Sequence, residues 1–192
     1  MGQVTHTSLL GLQLSELTLL VEEFGQPAYR ARQLFEALYR QRVETPDQIS
    51  TLPQDFRGSL SEKGISVGLP GIEKKFVSGD GTVRYLVACA DGQSVETVWM
   101  PEGDGGEAGD GSEAGNQTET ASRTWERATV CVSSQVGCAV DCQFCLTALL
   151  GIKRNLTAGE IVGQVCAVLN DQGVSLPLHR INLVFMGWES PS

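Results

Sequence analysis

Three cysteines crowded into one short segment constrain this chain more than any other feature. They are Cys138, Cys142 and Cys145, which lie in the string CVSSQVGCAVDCQFC together with Cys131. The N-terminus has no basic stretch followed by an apolar run and a small-residue cleavage site, so it does not resemble a secretory leader. Crowded cysteines in such a chain favour metal or redox chemistry over a disulfide framework. We therefore expect a cytoplasmic protein with a metal or redox site.

The spacing of these cysteines suits an iron–sulfur cluster better than zinc. Three thiolates on one tight loop can hold three irons of a [4Fe–4S] cluster and leave the fourth iron open to another ligand. Gly137 and Ala139 are small, so the backbone can bend closely around such a group. A structural zinc ion is the main alternative, but zinc normally takes four protein ligands. Cys131 could supply the fourth ligand only awkwardly, because part of a predicted strand separates it from the loop.

The segments around the cysteines predict an α/β unit. RATVCVS (127–133) is typical of a short buried strand, and the cysteine loop follows it. Thr157 and Glu160 have the spacing of a capping box, which begins a helix that ends near Asn170. The expected buried stripe of this helix consists of Ile161, Val165 and Leu169. INLVFMG (181–187) is almost wholly apolar, which predicts a parallel strand covered on both faces.

Residues 8–63 predict a compact helical unit. Ser15 can cap a first helix, and Gly25 ends it. Pro27 begins a second helix, where its missing N–H costs little. The apolar stripe expected for the second helix consists of Ala31, Leu34, Phe35 and Leu38. Thr45 has the position of an N-cap for a third, short helix.

Residues 73–100 predict two or three short antiparallel strands. Asp80-Gly81 and Asp91-Gly92 are hairpin turn signals, and the flanking segments are rich in Val, Tyr, Thr and Trp. Residues 102–122 contain six glycines and no large apolar side chain, which predicts a flexible acidic insertion. The remaining residues, 124–192, contain the predicted α/β unit.

The net charge of −9 is unevenly distributed along the chain. Six of the 23 acidic residues lie within residues 102–122, which contain no Lys or Arg. The acidity therefore does not exclude a nucleic-acid partner elsewhere on the surface. Basic residues cluster within residues 30–42 and at Lys153-Arg154, where a solvated helix face and an RNA contact are both open readings. No apolar run approaches the roughly 20 residues that span a bilayer, so we expect no membrane partner.

The cysteine spacing resembles that of the radical S-adenosylmethionine superfamily, and wider motifs narrow the resemblance. CVSSQVGCAVDCQFC followed by GIKRNLTAGEIVGQV is similar to the RlmN/Cfr family of RNA adenosine methyltransferases. PAYRARQLFEALY and LPQDFRGSL resemble the helical accessory domain of that family. SGDGTVRYLV and SVETVWMP resemble the segment before its cluster. The resemblance covers roughly residues 12–187, apart from the acidic insertion.

The resemblance implies a fold, cofactors and a reaction. The implied α/β fold has an N-terminal helical accessory domain, a small β-hairpin region and the start of a radical SAM partial (β/α) barrel. Cys138, Cys142 and Cys145 would hold a [4Fe–4S] cluster whose open iron binds S-adenosylmethionine. The implied reaction is methylation of C2 of an adenosine in 23S rRNA and in tRNA anticodon loops, through a 5′-deoxyadenosyl radical and a methyl-cysteine intermediate. A flavodoxin-type reductase would supply electrons, and the C8 chemistry of Cfr-type relatives stays an alternative.

The resemblance also assigns two catalytic residues. Glu96, in VETVWMP, matches the residue that accepts the C2 proton, although an isolated Glu in a strand is usually just solvent-facing. Cys131 matches the cysteine that resolves the protein–RNA adduct by forming a disulfide, although a strand cysteine is usually a packing residue. Cys89 and Cys166 match no functional position and are expected to be packing residues.

The last residues depart from the pattern of the family. After its second strand the family has a Gly-Glu-Pro segment that helps to hold S-adenosylmethionine, whereas this chain reads Trp188-Glu189-Ser190-Pro191. We therefore assign no cofactor-binding residue near Glu189. The methyl-carrying C-terminal cysteine has no counterpart here, so we expect a C-terminally truncated chain that is inactive by itself. A non-catalytic RNA-binding remnant and a zinc-stabilised interaction module are the alternatives.

Overall fold

The computed structural model describes residues 8–102, 125, 127–138, 151–174 and 180–186. Its helices are α1 (Leu14–Glu23), α2 (Tyr29–Glu36), α3 (Gln54–Glu62) and α4 (Ala158–Asp171), with a π-helical turn at Ala37–Gln41 and a 3-10 turn at Pro46–Gln48. Its strands are β1 (Gly71–Val77), β2 (Val83–Ala88), β3 (Ser94–Glu102), β4 (Arg127–Ser133), β5 (Gln135–Val136), β6 (Arg154–Asn155) and β7 (Arg180–Met186). The predicted α/β class is therefore confirmed. Apart from Glu102, the predicted acidic insertion lies outside the described residues.

The first helix has its N-cap two residues earlier than the sequence predicts. The backbone N–H of Gln13 donates to the Glu16 carboxylate at 2.7 Å, so Gln13 is the N-cap and the predicted Ser15 cap is wrong. Gln13 has an acidic residue three positions later, as a capping box requires, whereas Ser15 is followed at that spacing by Thr18. Gly25 has φ +66° and ends the helix, as predicted.

The second helix continues from α2 into the π-helical turn and ends at Arg42, which has φ +53°. Three residues of the predicted stripe are buried, but Phe35 is 40% exposed and does not belong to the core. Tyr39 lies on the π-helical turn, where its hydroxyl accepts from Gly11 N–H at 3.0 Å and donates to the Leu12 carbonyl at 2.9 Å. The turn thereby ties the helix to the N-terminal segment.

Three antiparallel strands follow the helices, in agreement with the predicted hairpins. The two turns contain Gly81 at φ +89° and Gly92 at φ +79°, values that glycine adopts without strain. An irregularity between Ile72 and Lys74 leaves Glu73 without a partner in the register of β1 and β2. This bulge turns Ile72 to one face of the sheet and Lys74 to the other.

The five-stranded sheet has the order β1-β2-β3-β4-β7, and only its β4–β7 pairing is parallel. Residues alternate along β4, so that Ala128, Val130 and Val132 are buried beneath α4. The side chains between them project from the opposite face, which we call the open face. Among the described residues, β7 forms the edge of the sheet, with Leu183, Val184 and Phe185 each more than 40% exposed. The prediction that both faces of this strand are covered is wrong for the described residues.

Helix α4 packs between the sheet and the helical segment. Gly159 lets the N-terminal segment approach closely, because a Cβ there would lie 2.3 Å from the Leu10 carbonyl oxygen. Gly163 does the same for the residue before β1, because a Cβ there would lie 2.7 Å from Pro70 Cδ. Asn170 donates to the Arg42 carbonyl at 2.9 Å and accepts from its guanidinium at 3.0 Å. The buried residues of α4 are Gly163, Gln164, Cys166, Ala167, Val168 and Leu169, so Ile161 and Val165 of the predicted stripe are only half-buried.

A buried glutamine joins α4 to two neighbouring strands, β3 and β4. Gln164 is 1% exposed, and its Oε1 accepts from the Thr97 hydroxyl at 2.8 Å and from Ser133 N–H at 3.0 Å. Its Nε2 donates to the Ser133 carbonyl at 3.1 Å. The side chain therefore satisfies backbone groups of Ser133, which lies one residue beyond the last β3–β4 pair, Thr97↔Val132.

Gln164→Leu keeps the side-chain volume but removes these hydrogen bonds. We expect the free energy of unfolding to fall by about 2–4 kcal/mol, because buried groups of Ser133 and Thr97 lose their partner. Urea unfolding under reducing conditions measures this change. Gln54→Leu at the exposed start of α3 is the matched control, and it should change stability by less than about 0.5 kcal/mol. Equal losses in both variants would contradict this account.

Candidate functional site

A short strand pair closes the base of the cysteine loop. β5 and β6 pair antiparallel through Gln135↔Asn155 and Val136↔Arg154. On either side of this pair, Lys153 N–H donates to the Val136 carbonyl and Leu156 N–H donates to the Ser134 carbonyl, both at 2.9 Å. These bonds bring the two ends of segment 138–150 together. In sequence, all three predicted cluster cysteines lie between the two strands of this pair.

Two glycines allow the close crossing at this base. Gly137 has φ +80°, and a Cβ there would lie 1.8 Å from the carbonyl oxygen of Gly151. Gly151 has φ +62°, but a Cβ there would meet no atom within 4 Å. The base thus depends on the absence of a side chain at Gly137, which agrees with the tight bend that the sequence predicts there.

Arg154 fastens the outgoing side of the loop to its surroundings. Its guanidinium donates to both carboxylate oxygens of Glu160, at 2.8 and 2.7 Å, and to Asp91 at 2.7 Å. The same guanidinium lowers the pKa of Glu160 and of Asp91 below their ordinary values. Glu160 also accepts from Thr157 N–H at 2.8 Å, which confirms the predicted capping box. Arg154 is therefore engaged within the chain and not a free RNA contact.

Cys138 is half-buried directly after β5, at the incoming end of the loop. Cys142 and Cys145 lie outside the described residues, as does Glu189. Within the described part of the chain, no group of three His, Cys, Asp or Glu side chains is placed to hold a metal ion. The closed base and the thiol donor set fit a three-cysteine site, since one loop supplies every ligand and thiolates are the usual ligands of iron–sulfur clusters.

Glu96 and Cys131 lie on the open face of the sheet. Cys131 is paired with Val98 of β3, while Thr97 and its partner Val132 point to the buried face. The Ser133 hydroxyl donates to the Glu96 carbonyl at 2.7 Å, which fixes the strands beside both residues. Because diagonal neighbours on one face are about 7–8 Å apart, Glu96 and Cys131 can address the same molecule. The sequence predicts both residues but not their common face.

Glu96 has one charged neighbour that the sequence gave no reason to select. Arg84 on β2 approaches the Glu96 carboxylate at 3.4 Å, and both side chains are about half-exposed. The guanidinium carbon of Arg84 also lies 4.7 Å from the ring centroid of Phe76 on β1. A prediction of the register of β1, β2 and β3 is the signal that could have found this contact, since the three residues lie on three different strands.

Cys131 is half-buried, and burial raises the pKa of its thiol above the ordinary value. The thiol is therefore protonated at neutral pH, and it needs a proton acceptor before it can act as a nucleophile. Cys89 and Cys166 are buried, and burial raises the pKa of Cys166 to about 11. Both positions fit the packing role that the sequence predicts for them.

Gly137→Ala tests whether the closed base holds the loop. We expect it to lower the free energy of unfolding by more than about 2 kcal/mol, because a Cβ must displace the Gly151 backbone as well as adopt a strained φ. Gly151→Ala is the control, since it carries the φ strain alone and should cost only about 1 kcal/mol. Thermal unfolding of the two variants measures the difference. A loss for Gly137→Ala no larger than for Gly151→Ala would contradict the steric argument.

The sequence is similar to curated RNA methyltransferases over most of its length. It is 60% identical over 171 residues to a probable dual-specificity RNA methyltransferase RlmN from Koribacter versatilis, which covers 89% of this chain and 47% of that protein. It is 40% identical over 178 residues to the dual-specificity RNA methyltransferase RlmN of Syntrophobacter fumaroxidans, covering 93% of this chain and 45% of that protein. The chain thus spans about half the length of the curated relatives it matches. No protein-family model matches it.

The fold is also similar to a solved structure. A radical SAM methyltransferase from Sphaerobacter thermophilus superposes with a TM-score of 0.68 at 36% sequence identity. The match covers 88% of this chain and 44% of that one. The sequence comparison and the structure comparison therefore both find similarity to methyltransferases. In the part of the chain that the structure describes, no helix has the length and apolarity of a membrane span.

Proposed function

We propose that this chain, which belongs to the RlmN family, forms the cluster-binding part of an RNA adenosine methyltransferase. It spans about half the length of its curated relatives. The observation that carries this proposal is that the strand pair closing the base of the cysteine segment directly follows β4, which bears Cys131 on the same face as Glu96. The substrates are an adenosine of 23S rRNA and one of a tRNA anticodon loop. The methyl group goes to C2, and the remaining part of the site comes from residues outside this sequence.

Cys138, Cys142 and Cys145 are the proposed ligands of a [4Fe–4S] cluster. The chemistry that such a group supplies when bound is one-electron cleavage of S-adenosylmethionine, fed by a flavodoxin-type reductase. The loop residues hold the ligands on one segment, and the β5–β6 pair fixes both ends of that segment. Gly137 keeps the base narrow, and Arg154 anchors its outgoing side to Glu160.

Glu96 is the proposed acceptor of the C2 proton. Its carboxylate is half-exposed on the open face, so the adenine ring of a nucleotide lying on this face can reach Oε1 or Oε2. Arg84 holds the carboxylate from the β2 side, at 3.4 Å. The hydrogen bond from the Ser133 hydroxyl to the Glu96 carbonyl fixes the backbone from the β4 side. The carboxylate is thus positioned without being removed from solvent.

Cys131 is the proposed thiol that resolves a protein–RNA adduct. Its place on the open face puts it within reach of a nucleotide bound over β3 and β4. Burial raises the pKa of this thiol, so the attack requires transfer of its proton to a neighbouring acceptor. In the described structure Cys131 forms no disulfide, which leaves its sulfur available for that step.

Anaerobic iron–sulfur reconstitution tests the cluster ligands directly. We expect the chain to take up about four irons and to show an EPR signal after reduction that S-adenosylmethionine perturbs. Cys138→Ala, Cys142→Ala and Cys145→Ala should each abolish that signal. Cys131→Ala is the matched control, because it removes a thiol of the same segment that is not a proposed ligand, and it should keep the full iron content.

Other outcomes of this experiment would contradict the proposal. A colourless protein that binds one zinc ion through the same cysteines would identify a zinc-stabilised module. Loss of iron in Cys131→Ala would make Cys131 a fourth ligand and would exclude its proposed role. RNA binding that needs none of the cysteines, in a chain that takes up no iron, would identify an RNA-binding remnant.

A further inference from the structure

The open face carries an aromatic side chain that no role described so far explains. Phe76 is 48% exposed on the edge strand β1, where apolar side chains are a liability unless something covers them. Its cross-strand partner is Arg84, which is paired in turn with Val98, and Val98 is paired with Cys131. Phe76 therefore begins a row of side chains that leads across the sheet to the proposed catalytic cysteine.

Arg84 connects this ring to the proposed proton acceptor. Its guanidinium carbon lies 4.7 Å from the centroid of the Phe76 ring, and its Nη1 lies 3.4 Å from Oε1 of Glu96. The plane of a guanidinium and the face of an aromatic ring are the two surfaces on which proteins stack unpaired RNA bases. Both surfaces occur here in contact with each other, beside the residue that would act on the adenosine.

The charges near Phe76 also suit RNA. Lys74 lies two residues before Phe76 on the same face, because the bulge at Glu73 turns this part of β1 outward. Lys75 points to the opposite face and is engaged by Asp171 of α4. Arg84 is ion-paired with Glu96, so Lys74 supplies the positive charge next to the ring that can offset phosphate charge.

We propose that Phe76 and Arg84, with Lys74 beside them, form a stacking site for a single-stranded RNA nucleotide that neighbours the target adenosine. Two strand spacings separate β1 from β3, so the stacked base would lie about 10 Å from Glu96. The site does not discriminate between the four nucleobases by itself, since every nucleobase has a face that can stack. This inference rests on the proposed function, because it supplies the substrate contact next to Glu96.

Binding of a single-stranded RNA oligonucleotide that carries 2-aminopurine tests the site. We expect Phe76→Ala to weaken binding about tenfold and to abolish the quenching of the 2-aminopurine fluorescence, because base–aromatic stacking is lost. Phe76→Tyr should bind like the unaltered chain. Lys74→Gln should lower the slope of log affinity against log salt by about one, whereas Phe76→Ala should leave that slope unchanged.

Val77→Ala is the matched control. Val77 is the next residue on β1, is 72% exposed and points to the other face, so its loss should leave RNA binding unchanged. Equal weakening in Val77→Ala and Phe76→Ala would overturn the proposal, as would wild-type affinity in Phe76→Ala. Failure of the unaltered chain to bind the oligonucleotide would overturn it too. If Phe76→Ala dissociates a dimer without changing RNA affinity, the ring belongs to a contact between copies and the proposal is wrong.

The iron content separates failure of this site from failure of the proposed function. Phe76→Ala should take up as much iron as the unaltered chain, because Phe76 lies on the edge strand β1, three strands away from β4, which leads into the cysteine segment. RNA binding that ignores Phe76, in a chain with an S-adenosylmethionine-responsive cluster, overturns only the stacking site. Stacking that depends on Phe76, in a chain that takes up no iron, overturns only the proposed function.

Discussion

Everything proposed for this site depends on the closure of one loop by a two-residue strand pair. β5 and β6 contribute few backbone hydrogen bonds, yet they join the ends of the segment that contains Cys138, Cys142 and Cys145. Closing a loop costs conformational entropy. Gly137 permits the close crossing at the base, and the ion pairs of Arg154 offset part of this cost. The glycine crossing and the ion pairs of Arg154 both require that the two ends of the cysteine segment lie side by side.

The second constraint is the division of the sheet into a covered and an open face. Alternation along β4 sends Val130 and Val132 under α4 and leaves Cys131 on the other side. Helix α4 covers one face, and its Gln164 hydrogen-bonds the backbone of Ser133, just beyond the last β3–β4 pair. The open face then carries Glu96 beside Cys131, so the same alternation that builds the core also gathers the proposed catalytic residues.

Local patterns were predicted from the sequence, and long-range ones were not. The capping box of Thr157 and Glu160 was predictable because both partners lie within one helical turn. The cap of α1 differs from the prediction because the Gln13–Glu16 capping box begins the helix two residues before Ser15. The exposure of β7 does not follow from its apolar sequence, because the elements that bury a strand can lie far from it in sequence. The contact between Arg84 and Glu96 depends on strand register, whereas the cluster cysteines were found by their spacing alone.

An anaerobic crystal structure of the iron-loaded chain, with iron located by its anomalous scattering, tests the central claim most directly. We predict an iron cluster bound to Cys138, Cys142 and Cys145, on the side of the sheet that carries Glu96 and Cys131. One iron should have no protein ligand. A single metal ion with four protein ligands, or a cluster on the α4 side of the sheet, would contradict the claim that the closed loop serves a reaction on the open face.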